Sequence, residues 1–141
     1  MNTSPAVPLL KIFVVENHSD TLRWLKLYLE ELDHTVITAA NFTEAVATLP
    51  GAACDVLISD IGLPDGNGWD LLDKVSLSRP IFAIAMSGFG MSADNARSRS
   101  AGYRYHLVKP FKTAELDKIL AEAALELAQP QSGSSSDGTT C

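Results

Sequence analysis

The chain has only two cysteines among its 141 residues, Cys54 and Cys141. Two thiols make no disulfide framework, so the fold must rest on an apolar core, and such cysteine usage suits a reducing cytosol. Cys54 reads as a partly buried thiol without a role. Basic residues are also few, 11 against 17 acids, for a net charge of −6. With no basic cluster, nucleic-acid binding by this chain alone is not expected. No apolar run approaches the roughly 20 residues that span a bilayer. The opening MNTSPAVPLLK lacks the basic flank and apolar stretch of a secretory signal. The expectation is a cytoplasmic protein with no membrane partner. Gly62, Gly66 and Gly68 do not form a GxGxxG, so a dinucleotide site fails on spacing.

What is present is an apolar content of 46% with 20% charge, in a length that suits one domain with a full core. Residues 1–9 form a Pro-containing arm, 10–128 the domain, and 129–141 a Ser/Gly-rich tail or linker without core-forming residues. Within the domain, strand and helix patterns alternate five times. The strands are Lys11 to Val15, His34 to Ala39, Val56 to Ser59, Ile81 to Met86, and Arg104 to Val108. The first helix starts near Asp20 with Leu22, Leu25, Leu29 and Leu32 at helical spacing. Asn41 and Glu44 have capping-box spacing before the second. The third runs from Trp69 to Leu77 and the fourth from about Ser92 to Ala101. The last puts Leu116, Ile119, Leu120, Ala123 and Leu127 on one face. Trp24, Tyr28 and Trp69 read as packing residues.

Apolar strands alternating with helices predict a doubly wound α/β domain, a five-stranded parallel sheet with five helices. The functional site of such a sheet lies beyond the carboxyl ends of its strands. Four strand ends carry chemistry: Glu16 and Asn17, Asp60, Ser87, and Lys109 with Pro110. Glu16, Asn17 and Asp60 offer the hard oxygen ligands that Mg²⁺ or Mn²⁺ takes. Asp60 has the chemistry of a nucleophile that could become an aspartyl-phosphate. Lys109 supplies a compact positive charge for phosphoryl oxygens, and Ser87 a hydrogen-bond donor. A metal and an ammonium would also keep Asp60 ionised at a buried strand tip. The plainer readings are caps for Glu16, Asn17 and Asp60, and a turn for Ser87.

VVEN, ISDIGLPDGNG, AMSG and LVKPF, in this order over Leu10 to Leu127, resemble a response-regulator receiver domain, with its flavodoxin-like topology. The resemblance implies that Asp60 accepts a phosphoryl group from a phosphohistidine on a sensor kinase or phosphotransfer protein. It places Glu16 and Asn17 on the acidic metal pair and the Gly62 carbonyl as the third protein ligand. It makes Ser87 the switch hydroxyl, Lys109 the invariant lysine, and the bond to Pro110 cis. A downstream protein would bind the fourth helix, fifth strand and last helix. Three departures stand out. Asn17 replaces an acid; His106 occupies the aromatic switch position, with Tyr105 beside it, as in receivers of hybrid kinases; and Gly62 and Phe89 bring no polar side chain to hold an attacking water. Gly62 also lacks the acid that a turnover phosphatase of the aspartyl-phosphate type uses, so no enzyme beyond self-phosphorylation and dephosphorylation is expected. A degenerate receiver that only binds partners stays open through Asn17.

Overall fold

A computed structural model describes residues 9–75, 77, 80–88 and 95–128. The expected tail, most of the arm, Phe89, Cys141 and the start of the fourth helix near Ser92 lie outside the described residues. The elements are β1 (Lys11–Val15), α1 (Ser19–Glu31), β2 (Thr35–Ala39), α2 (Phe42–Ala52), β3 (Val56–Asp60), β4 (Gly62–Leu63), β5 (Gly66–Asn67), α3 (Gly68–Lys74), β6 (Phe82–Ser87), α4 (Asn95–Ser100), β7 (Tyr105–Val108) and α5 (Thr113–Ala128). Five strands form a parallel sheet in the order β2-β1-β3-β6-β7. The chain leaves β1 toward one edge and returns to the other side of β1. The switch point therefore falls between the carboxyl ends of β1 and β3.

Alternation along the strands divides the core into two layers. Ile12, Val14, Val56, Ile58, Phe82, Ile84 and Leu107 pack with Leu25 and Leu29 of α1 and with Leu116, Leu120 and Ala123 of α5. Phe13, Val15, Leu57, Ala83 and Ala85 face the other way, onto Ala45 and Leu49 of α2 and Leu71 of α3. Two expected apolar faces end sooner than the sequence spacing suggested. Leu32 and Leu127 are exposed, at 42% and 39%. Leu32 is the C-cap of α1, and Leu127 sits in the final turn of α5.

Several boundaries also shift. β2 starts after His34, whose buried ring instead accepts the Leu10 N–H at Nδ1, 3.1 Å away. The third helix stops at Lys74, and Val75 is extended. The hairpin β4–β5 was not expected from the sequence; it fills the turn after Asp60. Asn41 caps α2 as predicted, accepting the Glu44 N–H at 2.8 Å, while the Glu44 carboxylate returns to the Ala40 N–H at 2.6 Å.

Candidate functional site

Glu16 follows β1 and Asp60 ends β3, so the topology alone brings two carboxylates to one crevice. Both are buried, with relative exposures of 0% and 4%. Lys109, just past β7, reaches between them. Its Nζ lies 2.6 Å from Glu16 Oε1 and 3.2 Å from each Asp60 oxygen. The Lys109–Pro110 peptide bond is cis. The other Glu16 oxygen, Oε2, accepts the His18 N–H at 3.0 Å and lies 3.0 Å from the His18 ring Nδ1.

The electrostatics follow from that crowding. Burial first, then the hydrogen bond and charge of Glu16, push the Asp60 carboxyl up to about 7, against the pull of Lys109. Burial acts against the Glu16 anion too. Its hydrogen bonds with Lys109, the His18 N–H and Asp60 more than offset this and hold Glu16 below the ordinary range. When both acids are ionised, one ammonium leaves negative charge that a proton or another cation must meet. The donor chemistry fits a divalent metal: ligand atoms of Glu16, His18 and Asp60 lie within 4.8 Å of one another. Asn17 lies exposed at the rim between two of them, and Gly62 opens β4 with free space above its Cα.

Gly68 holds the loop after Asp60 close. Its N–H donates to the Ile61 carbonyl at 2.8 Å. A Cβ there would sit 2.4 Å from the Asp60 carbonyl oxygen, so only glycine allows α3 to start at this spot. Asp65 ties the same loop to α2, accepting from the Phe42 and Thr43 N–H groups at 2.8 and 2.9 Å and capping that helix from a distance.

Ser87 ends β6, one residue beyond Met86, the register partner of Asp60. Its buried hydroxyl is 2.6 Å from His106 Nε2. The opposite ring nitrogen, His106 Nδ1, is 2.7 Å from the Ser98 hydroxyl on α4. Ser98 is 1% exposed and accepts the Trp69 indole N–H at 2.9 Å. Trp69 is thus more than a packing residue. Tyr105 points to the other face of β7, stacked on Phe82 with centroids 6.1 Å apart and bonded to Glu122.

The sequence reading missed His18, Ser98, Gly68 and Asp65. His18 had a local signal, two residues after Glu16 in ENH. Ser98 had none, because its partners lie 29 positions before it and 8 after it.

The family model for the response regulator receiver domain matches residues 12–121. The chain belongs to that family, the receiver domains of two-component signalling. It is 32% identical over 130 residues to the transcriptional regulatory protein KdpE of Mycobacterium tuberculosis, covering 84% of this chain and 55% of KdpE. It is 32% identical over 129 residues to the virulence sensor protein BvgS of Bordetella bronchiseptica, covering 86% of this chain and 10% of BvgS. The chain thus spans about half or less of these curated relatives. A CheY-like receiver domain from Methanospirillum hungatei superimposes with a TM-score of 0.76 at 28% identity, covering 84% of this chain and 96% of that one.

Proposed function

We propose that this receiver is a phospho-switch in which Asp60 accepts a phosphoryl group from a phosphohistidine on a sensor kinase or phosphotransfer protein. One observation carries the reading: Asp60 is a buried carboxylate at the switch point, held against Glu16 and a lysine ammonium. An Asp60 oxygen attacks phosphorus, the P–N bond breaks, and the electron pair leaves with the imidazole. Lys109 stands where charge develops on the phosphoryl oxygens. Glu16, Asp60, the Asn17 side chain and the Gly62 carbonyl would hold Mg²⁺ or Mn²⁺, which supplies further positive charge to those oxygens when bound. Captured phosphate shifts the population of two packings around Ser87 and His106. The changed surface is α4, β7 and α5, where Arg104 pairs with Glu126 at 2.6 Å and a downstream protein would read the change.

The chain performs its own phosphorylation and dephosphorylation and turns over no other substrate, in keeping with Gly62 where a phosphatase would carry an acid. Among the described residues no helix is long and apolar enough to cross a membrane, and we place the protein in the cytoplasm. Asn17 favours a second reading, a degenerate receiver that binds partners without phosphate. Incubation with phosphoramidate and Mg²⁺, followed by mass spectrometry, separates the two. One added phosphate that disappears in Asp60→Asn supports the switch. No addition supports the degenerate receiver, and labelling that survives Asp60→Asn overturns the assignment of the acceptor.

A further inference from the structure

Four side chains from four elements form a hydrogen-bond chain running from α3 to the phosphoryl pocket. The Trp69 indole, which can only donate, bonds the Ser98 hydroxyl at 2.9 Å. Ser98 and Ser87 then flank the two nitrogens of His106 at 2.7 and 2.6 Å. Their order follows from counting hydrogens. Ser98 is buried, and among the described residues its hydroxyl meets no partner besides Trp69 and His106. Since the indole occupies Ser98 as a donor, the single Ser98 hydrogen must go to His106 Nδ1 or stay unpaired inside the protein. An unpaired buried hydroxyl forfeits the hydrogen bond it made to water in the unfolded chain. The satisfied arrangement has Nδ1 as acceptor and the ring proton on Nε2. That proton is donated to the Ser87 oxygen. The Ser87 hydrogen is then not committed to His106.

We infer that Ser98 is a positioning residue for the phosphoryl pocket: with Trp69 it sets the His106 tautomer, leaving the Ser87 hydroxyl hydrogen for a phosphoryl oxygen. In the reverse arrangement Ser87 would donate to Nε2, and its only hydrogen would be spent. Every bond of the chain then runs from Trp69 toward Ser87, so each donor polarises the next. The Arg97 guanidinium lies 4.0 Å from the Trp69 ring centroid and reinforces the start of the chain. The last turn of α4 is fixed where the relay needs it. Gly102, at φ 108, closes the helix as the Tyr103 N–H bonds the Ser98 carbonyl at 2.9 Å and the Gly102 N–H bonds that of Arg99 at 3.1 Å. Buried Tyr103 then donates to the Gly68 carbonyl at 2.6 Å, joining this turn to the start of α3 beside Trp69.

The function of this relay rests on Asp60 as phospho-acceptor, but its tautomer does not, and the two are measured separately. Nitrogen-15 spectra of the histidine rings in the unphosphorylated protein should show His106 protonated at Nε2 only. Ser98→Ala should lose that fixed tautomer, and Ser98→Thr should keep it. Beryllofluoride, as a phosphoryl mimic with Mg²⁺, should bind Ser98→Ala roughly 3- to 10-fold more weakly than the parent, the size of one neutral hydrogen bond. Ser98→Thr should recover the loss, and Trp69→Phe should show a smaller one. A parent ring protonated at Nδ1, or at both nitrogens, overturns the inference whatever the variants do. So does a folded Ser98→Ala that binds beryllofluoride as tightly as the parent. A parent with the expected tautomer that binds no beryllofluoride overturns the phospho-switch and leaves the ordered relay standing.

Discussion

The two walls of the pocket are built on opposite principles. One wall is charged: Glu16, Asp60 and Lys109 sit within 3.2 Å contacts, and a buried acid is pushed up to about 7. The other wall, Ser87, His106, Ser98 and Trp69, is a chain of hydroxyl, imidazole and indole groups. Once both acids are ionised, the charged wall has more negative charge than its own lysine can balance, so it favours a proton or an added cation. The hydrogen-bond wall is ordered from Trp69 through Ser98 and His106, and holds back one hydrogen, that of Ser87. In the proposed switch, capture of phosphate would therefore belong to the wall under strain of charge. Transmission would belong to the wall whose groups are already ordered and can only be rearranged.

The largest test of this contrast removes the ammonium. Lys109→Met leaves two buried carboxylates facing each other and takes away the positive charge that, in the proposed transfer, meets the phosphoryl oxygens. The initial rate of phosphorylation from phosphoramidate should fall on the order of a hundredfold, as when a preorganised transition-state donor is lost. Mass spectrometry over a time course measures it. A loss within the few-fold range expected for the hydrogen-bond wall would remove the distinction between the two walls.

A second test uses acidity. Asp60 titrates near 7 in the fold against 3.8 as an ordinary carboxyl. Between those values the folded chain holds a proton that the unfolded chain has released. By linkage, this group's contribution makes the fold less stable as pH rises from about 4 to about 7. Asp60→Asn cannot release that proton. In metal-free buffer the variant should gain stability over the parent progressively across this window, reaching on the order of 1–3 kcal/mol above pH 7. Urea midpoints at pH 5 and pH 8 measure the gain. A difference between variant and parent that is the same at both values would show that the charged wall is not strained by its acids.

The charged wall was legible in the sequence, and Ser87 and His106 were singled out there, but the Ser98 and Trp69 half of the relay was not. Glu16, Asp60 and Lys109 each stand at the end of an apolar strand run, and parallel strands gather their carboxyl ends on one rim. Strand period and residue type thus sufficed to bring three charges together. Ser98 lies in a polar helix where nothing in NARSRS separates a buried serine from a solvated one. Its meaning arises only when Gly102 closes that helix against α3. Gly68 stood out only as one glycine among several after Asp60, and its closeness to the Asp60 carbonyl depends on how the β4–β5 hairpin folds back. The overextended faces at Leu32 and Leu127 have a related cause. Helical periodicity gives the direction of a face but not how far the sheet beneath it extends.

The smallest expected effect concerns Asn17, the position that separates this pocket from one with three acids. The residue is exposed at the rim, where water and salt screen any charge placed on it. An aspartate there adds attraction for a divalent ion, opposed by repulsion from Glu16 and Asp60 in the metal-free protein. At a few ångströms and near-aqueous screening the net gain is about 1 kcal/mol, or roughly fivefold in affinity. Asn17→Asp should therefore tighten Mg²⁺ binding several-fold in calorimetric titration. It should leave the His106 tautomer unchanged, because Asn17 is exposed and next in the chain to Glu16, on the charged side of the pocket. Equal or weaker binding would mean that the two buried acids and the His18 ring already set the metal affinity, and that the amide was no deficit. A changed tautomer would show that the two walls are coupled before any phosphate arrives.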